Sequence, residues 1–252
     1  MSPVFVQGVE VKDLVDYSTY ASLPNTPGGF ATLNGVAVWK DPNAEGMPWV
    51  PAFLAGWTLD ASVHADTVNL GALPSGISIT VSGAGTVTMS GGSIRCDSSA
   101  TNTDYGLLTA TFSTLADVGD AAVVFGAHVI DVGASMDDAA TMLNRNGAQS
   151  QRVGFNPEWS GGMLLSNWAA AAQGGQGAAR TDMAYFCLEA NGGKTANEEV
   201  RCWDLEDPTG VAFAPGSAFT TAGSNKSFSA WAENASTNQA IVDIEFIAIY
   251  VR

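Results

Sequence analysis

Short runs of Val, Ile, Thr and aromatic residues alternate with polar ones along this chain, and Gly, Ser-Gly or Asn-Gly closes each run. Successive side chains on a strand point to opposite faces, so a two-residue period bounded by turn residues predicts half-buried β-strands. "SGISITVSGAGTVTMSGGSIRCDSS" holds three such runs, and "YGLLTATFSTL" and "AAVVFGAHVI" add two more. The chain ends on "QAIVDIEFIAIYVR", where strict alternation predicts Ile244, Phe246, Ala248 and Tyr250 on one face and Asp243, Glu245, Ile247 and Ile249 on the other. The second face turns from acidic to apolar along its length. That change predicts a central strand covered on both sides towards its end.

Residues 1–56 read as a smaller unit, with strand-like "VFVQGVEV", "GGFATLNGVAVWK" and "MPWVPAF". Asn34-Gly35 between apolar flanks is a hairpin signal, because a two-residue type I′ turn needs positive φ at both positions. A single helix is predicted over 135–147, with Ser135 as N-cap, Asp138 as the capping-box acid and Gly147 as the stop. Between 155 and 177 the Gly pairs and the Ala run predict a long loop, a kind of segment that often carries function. The expected fold is all-β: a small N-terminal β-hairpin module (1–56), then an antiparallel β-sandwich of jelly-roll or lectin-like type (57–252).

The 252 residues are 46% hydrophobic and 14% charged, enough for a packed core without staples. Lys and Arg number 10 against 25 Asp and Glu, a formal charge of −15. Such a surface repels phosphate backbones, so nucleic acid is not an expected partner. Cys96, Cys187 and Cys202 match no metal spacing, and they read as small core residues of a protein made in a reducing cytosol. The N-terminus has no apolar signal-peptide core, and no 18-residue apolar run predicts a membrane span.

Candidate chemistry is sparse. Gly193-Lys194-Thr195 ends like a phosphate-binding loop, but Leu188 stands where the motif needs its first Gly, so a turn is expected. His64 and His128 have no helical His partner for a metal, and no G-x-S-x-G elbow is present, so no metal, cofactor or serine nucleophile is expected. A glycosidase pair could be drawn from Glu158, Glu189, Glu198, Glu199, Asp204 and Glu206, although solvated acids are the simpler expectation. Trp159, Asn167, Trp168 and Trp203 are the residues expected to meet a sugar, since flat rings stack on C–H faces while amides and acids take the hydroxyls. Core packing is the competing role for these tryptophans. Two sequons, at Asn225 and Asn234, lack a secretory context.

Residues 17–51 run in a distinctive order: an aromatic with "ASLP", a Gly turn, "GVAVWKD", a hairpin, then "WVP". This order resembles a short module of tail-fibre and spike proteins of tailed bacteriophages, matched at Tyr20, Leu23, Pro24, Gly35, Trp39, Trp49 and Pro51. The remainder of the chain is similar to the concanavalin-A-like or jelly-roll domains of such appendages. The resemblance implies a virion protein that is made in the host cytoplasm, is homotrimeric and touches host surface polysaccharide. Tyr20, Leu23, Trp39 and Trp49 would then serve attachment or subunit contact. Alternatives are a capsid cement protein without a ligand and a polysaccharide-degrading enzyme.

Overall fold

The structure is a computed structural model that describes residues 4–6, 9–11, 31–33, 36–39, 50–51, 54–101, 103–111, 121–132, 139–144, 152–159, 162–167, 172–174, 180–190, 200–206, 211–214, 227–233 and 239–252. Strands β1 (Val4–Val6) and β2 (Val9–Val11) pair with each other, and β3 (Ala31–Leu33), β4 (Val36–Trp39) and β5 (Val50–Pro51) form a three-stranded sheet. Leu33 pairs with Val36, and Asn34 and Gly35, the expected turn, lie outside the described residues.

The sandwich takes the rest: β6 (Thr58–His64), β7 (Ile77–Ser82), β8 (Thr86–Ser90), β9 (Ser93–Asp97), β10 (Tyr105–Thr111), β11 (Ala121–Val132), β12 (Ala139–Asn144), β13 (Arg152–Trp159), β14 (Gly162–Asn167), β15 (Ala172–Gly174), β16 (Ala184–Ala190), β17 (Val200–Asp204), β18 (Val211–Ala214), β19 (Ser227–Glu233) and β20 (Ala240–Val251). Seven of these form one sheet in the order β15-β14-β13-β12-β19-β10-β7, and a second sheet runs β18-β17-β16-β11-β20-β9-β8 with β6 also on β20. Every pairing is antiparallel, and no α-helix occurs among the described residues. The protein is an all-β antiparallel sandwich.

Two expectations fail. The helix over 135–147 is replaced within that span by β12, which pairs along Thr141–Phe155 and Thr141–Ala230. Pairing with β13 and β19 overrides the local capping pattern, as tertiary contacts commonly override helix propensity. The expected loop over 155–177 contains most of β13 and all of β14 and β15, with Gly162 opening β14 and Gly174 closing β15.

The two sheets enclose a core that joins Val123, Phe125 and Phe186 to Leu108, Phe228 and Ala230. Phe125 lies with its ring centroid 4.8 Å from Phe228 across the sheets and 5.5 Å from Phe186 beside it. Burying a side chain of this size contributes about 2–3 kcal/mol, so these three rings anchor sheet against sheet.

Strand β20 is central and buried nearly throughout, as its sequence predicts. Its faces differ from strict alternation. Gly126 pairs with Phe246 whereas Ala127 pairs with Ile244, which leaves Glu245 as the extra residue of a β-bulge. Ile244 therefore joins Ile247 and Ile249 in the inter-sheet core, while Phe246, Ala248 and Tyr250 face the other way. There they build a second cluster with Val50, Leu54, Ala122, Val124, Cys187 and Leu205. Val50 and Leu54, both fully buried, seal this outer face.

Candidate functional site

The outer face of the seven-stranded sheet has a different make-up. Strand β19 reads Ser-Phe-Ser-Ala-Trp-Ala-Glu, and Phe228, Ala230 and Ala232 enter the core. Alternation then turns Ser227, Ser229 and Trp231 outward. On β10, Leu108 and Ala110 are buried, so Tyr105, Leu107 and Thr109 share that outer face. Strand β7 does the same with Ile77 and Ile79 inward and Ser78, Thr80 and Ser82 outward.

Register orders these side chains into rows. Ser78, Thr109 and Ser229 lie abreast on three adjacent strands, and the Thr109 and Ser229 hydroxyl oxygens are 2.9 Å apart. The next row is Thr80, Leu107 and Trp231, and the one after it sets Ser82, Tyr105 and Glu233 abreast. Directly opposed residues stand about 5 Å apart at Cβ. The result is a surface of hydroxyls and aromatic rings, exposed at Ser78 and Thr80 and half-buried at Leu107, Thr109, Ser229 and Trp231, with Glu233 in its last row by register.

One rim of this face is clamped. The buried Asp104 carboxylate accepts the Ala84 N–H and the Ser99 hydroxyl, each at 2.9 Å. Gly83, at φ +59°, passes so close that a Cβ there would lie 1.8 Å from the Asp104 oxygen. Only glycine fits at that point, and the β7–β8 turn is thereby fixed to the start of β10.

The sugar-contact residues expected from the sequence are not all on this sheet. Trp159 and Asn167 lie on β13 and β14, with Trp159 opposite Gly162 and Asn167 opposite Val153 and Ala172. Trp203 belongs to the eight-stranded sheet, opposite Cys187 and Val211, and packs against its outer cluster. Trp168 lies outside the described residues, as do Tyr20, Leu23 and Trp49. Trp39 is on β4, opposite Val50. Trp231 is absent from the sequence-based candidates, although the Ser-x-Ser-x-Trp spacing between Phe and Ala places it on the polar face.

Two of the candidate acids, Asp204 and Glu206, are tied into the fold by one guanidinium. Arg180 reaches Asp204 at 3.1 Å, also donates to Glu206, and lies 3.8 Å from Asp182. Asp204 further accepts the Glu206 N–H at 2.9 Å. Burial raises the Glu206 carboxyl above its usual range, while the Arg180 charge pulls it back. Glu189 stands opposite Arg201, and Glu158 lies on β13; Glu198 and Glu199 lie outside the described residues. Elsewhere Arg95 holds Asp243 through two hydrogen bonds of 2.8 Å.

Cys96, Cys187 and Cys202 are free and buried, as expected of core residues. Burial pushes the Cys96 thiol up to about 12 and the other two well above the ordinary thiol range. His64 stacks on Phe246 at 6.0 Å and accepts the Asp66 N–H on Nδ1 at 3.1 Å, beside a groove of about 490 Å³ lined by Ser62, Thr67 and Asn69. Among the described residues no three His, Cys, Asp or Glu side chains gather as a metal ion requires, and no helix is long and apolar enough to cross a membrane.

No protein-family model matches the sequence, and no curated protein matches it. Solved structures do share its architecture. A protein of unknown function from Shewanella oneidensis MR-1 superposes with a TM-score of 0.50 at 14% identity, covering 76% of this chain and 85% of that one. Peanut lectin, crystallised with a nine-residue peptide, gives 0.48 at 11% identity over 76% of this chain and 97% of its own. The exoplasmic/lumenal domain of VIP36, in its Ca2+/Man-bound form, gives 0.47 at 11% identity over 76% and 91%. At these identities the likeness is one of fold.

Proposed function

We propose that this chain is a non-catalytic glycan-binding sandwich of a tailed-phage appendage, working as a homotrimer. The observation that carries the binding is the outer face of β7, β10 and β19, where a hydroxyl row (Ser78, Thr109, Ser229) adjoins a row containing Trp231. Sugars present apolar C–H patches beside hydroxyls. A ring next to paired hydroxyls on a fixed sheet answers both, and the clamped rim means that little ordering opposes binding. Binding without turnover is supported by Asp204 and Glu206, which share one guanidinium instead of facing each other across a groove. The virion setting rests on the resemblance of residues 17–51 to appendage modules.

A glycan array probed with the whole chain and with Trp231→Ala tests the binding. Retention of selected glycans by the whole chain, lost in the variant, is the expected result. An array on which the intact protein retains nothing would sink the glycan reading in favour of a purely architectural role. Immunogold labelling of virions tests the setting, and label on tails or spikes is expected. Labelling confined to capsids would make the chain a cement protein.

A further inference from the structure

The last strands of the two sheets lie on the same side of the sandwich. Among the described strands, β7 pairs only with β10, and β8 only with β9. Each therefore presents a row of backbone N–H and C=O groups along its other edge. Protein edges of this kind are ordinarily blunted by Lys, by Pro or by a bulge, because an open ladder recruits another strand. None of these devices is present here. β7 reads Ile-Ser-Ile-Thr-Val-Ser and β8 reads Thr-Val-Thr-Met-Ser, and their registers run without a shift.

Two further observations converge on the same edge. No Asp, Glu, Lys, Arg or His occurs between residues 67 and 94, in a chain of net charge −15. Val81 and Met89 also occupy inward positions, since Val81 continues the parity of Ile77 and Ile79, and Met89 opposes the core residue Ile94. They are nevertheless 50% and 44% exposed, so the core is not closed along this side.

We infer that the β7/β8 edge is the surface on which further copies of this chain assemble. The occupant follows from charge. Two copies repel over most of their acidic surface, and this neutral strip is where close approach costs least. A partner chosen by charge would find nothing to read here, whereas the open edge of β7 in one copy can pair with the open edge of β8 in the next, a head-to-tail contact that a closed trimer can repeat. Pairing would bury Val81 and Met89. This inference rests on the self-assembly part of the proposed function and is independent of glycan binding.

Light scattering after size exclusion, run on the full chain at low and high salt, provides the test. A multiple of the single-chain mass is expected, with more of it at high salt because screening weakens the acidic repulsion. Thr88→Lys, at an exposed position of β8, should shift the mass to that of one chain while the circular dichroism spectrum stays that of the parent; Val81→Lys should do the same. If the parent is a single chain at both salts, the self-assembly reading and the edge assignment fall together. If the parent is oligomeric and a folded Thr88→Lys keeps that mass, only the edge assignment falls. Should Val81→Lys unfold, Thr88→Lys decides alone.

Discussion

The outer faces of the two sheets flank the same core but differ in what covers them. On the eight-stranded sheet, Phe246, Ala248 and Tyr250 are fully buried beneath Val50 and Leu54. On the seven-stranded sheet, Ser229, Trp231, Leu107 and Thr109 remain half-buried. The difference is written into two strands. β20 is apolar on both faces, and β19 on one. A strand with two apolar faces needs a third layer, and the chain before β6 supplies it. A strand with one apolar face leaves the other half-buried.

The contrast breaks most visibly under a charge. Ala248→Asp puts an unpaired carboxylate on the sealed face, and a loss of more than about 4 kcal/mol is expected. Ser229→Asp makes the equivalent change on the open face and should cost about 1 kcal/mol, chiefly the hydroxyl pair with Thr109. Urea unfolding of the two variants measures the difference, and similar losses would refute it.

Truncation sharpens the same point. Phe246→Ala should cost about 4 kcal/mol, in the range for buried aromatic deletions. Trp231→Ala should cost about 1 kcal/mol in stability yet weaken glycan retention at least about tenfold, equivalent to about 1.4 kcal/mol. Calorimetry for stability and titration with an array-selected glycan separate the two effects.

A smaller loss, about 1–2 kcal/mol, is expected for Gly126→Ala beside the bulge. A Cβ there would lie 3.1 Å from the Tyr185 ring and 3.2 Å from Glu245 Cβ, disturbing the hydrogen bond that the Tyr185 hydroxyl donates to Glu245 at 2.8 Å. Thermal unfolding of the variant provides the check.

The effect that is smallest near neutrality grows with pH. Burial raises the Cys96 thiol from 9.0 to about 12, so the unfolded chain releases its proton first. Stability from this group is complete below pH 9 and is lost as pH rises towards about 12, since the unfolded state binds fewer protons across that interval. Cys96→Ala should flatten the alkaline decline measured by urea titration from pH 8.5 upward. An unchanged slope would mean that the thiol is not held protonated.

Much of the fold is legible in the sequence, because strands announce themselves by a short period and β7 to β11 carry it cleanly. The central position of β20 follows from its two apolar faces. Its bulge does not, since Glu245 looks like one more member of an alternating row until β11 fixes the register. Strand β12 is hidden for another reason: Ser135 and Asp138 mimic a helix start, and the pairing that outweighs them comes from residues nearly a hundred positions away on β19. The site is less legible than the fold. Tryptophans in Gly-rich stretches stand out by composition, while Trp231 sits within an ordinary strand and can be placed only by asking which of its neighbours enter the core.

The extra residue at position 245 gives the chain a parity device. Before it, even-numbered positions of β20 supply the inter-sheet core; after it, odd-numbered ones do. Pairing β20 with β11 without that bulge, the residue kept, would exchange the roles of every side chain from 246 onward, sending Phe246 and Tyr250 between the sheets and Ile247 and Ile249 outward. The hydrophobic inventory would be conserved and the volumes would not. For this strand, register is as informative as composition: a one-residue insertion or deletion elsewhere near its middle would reverse the faces of all that follow, whereas loss of Glu245 itself would leave them in place.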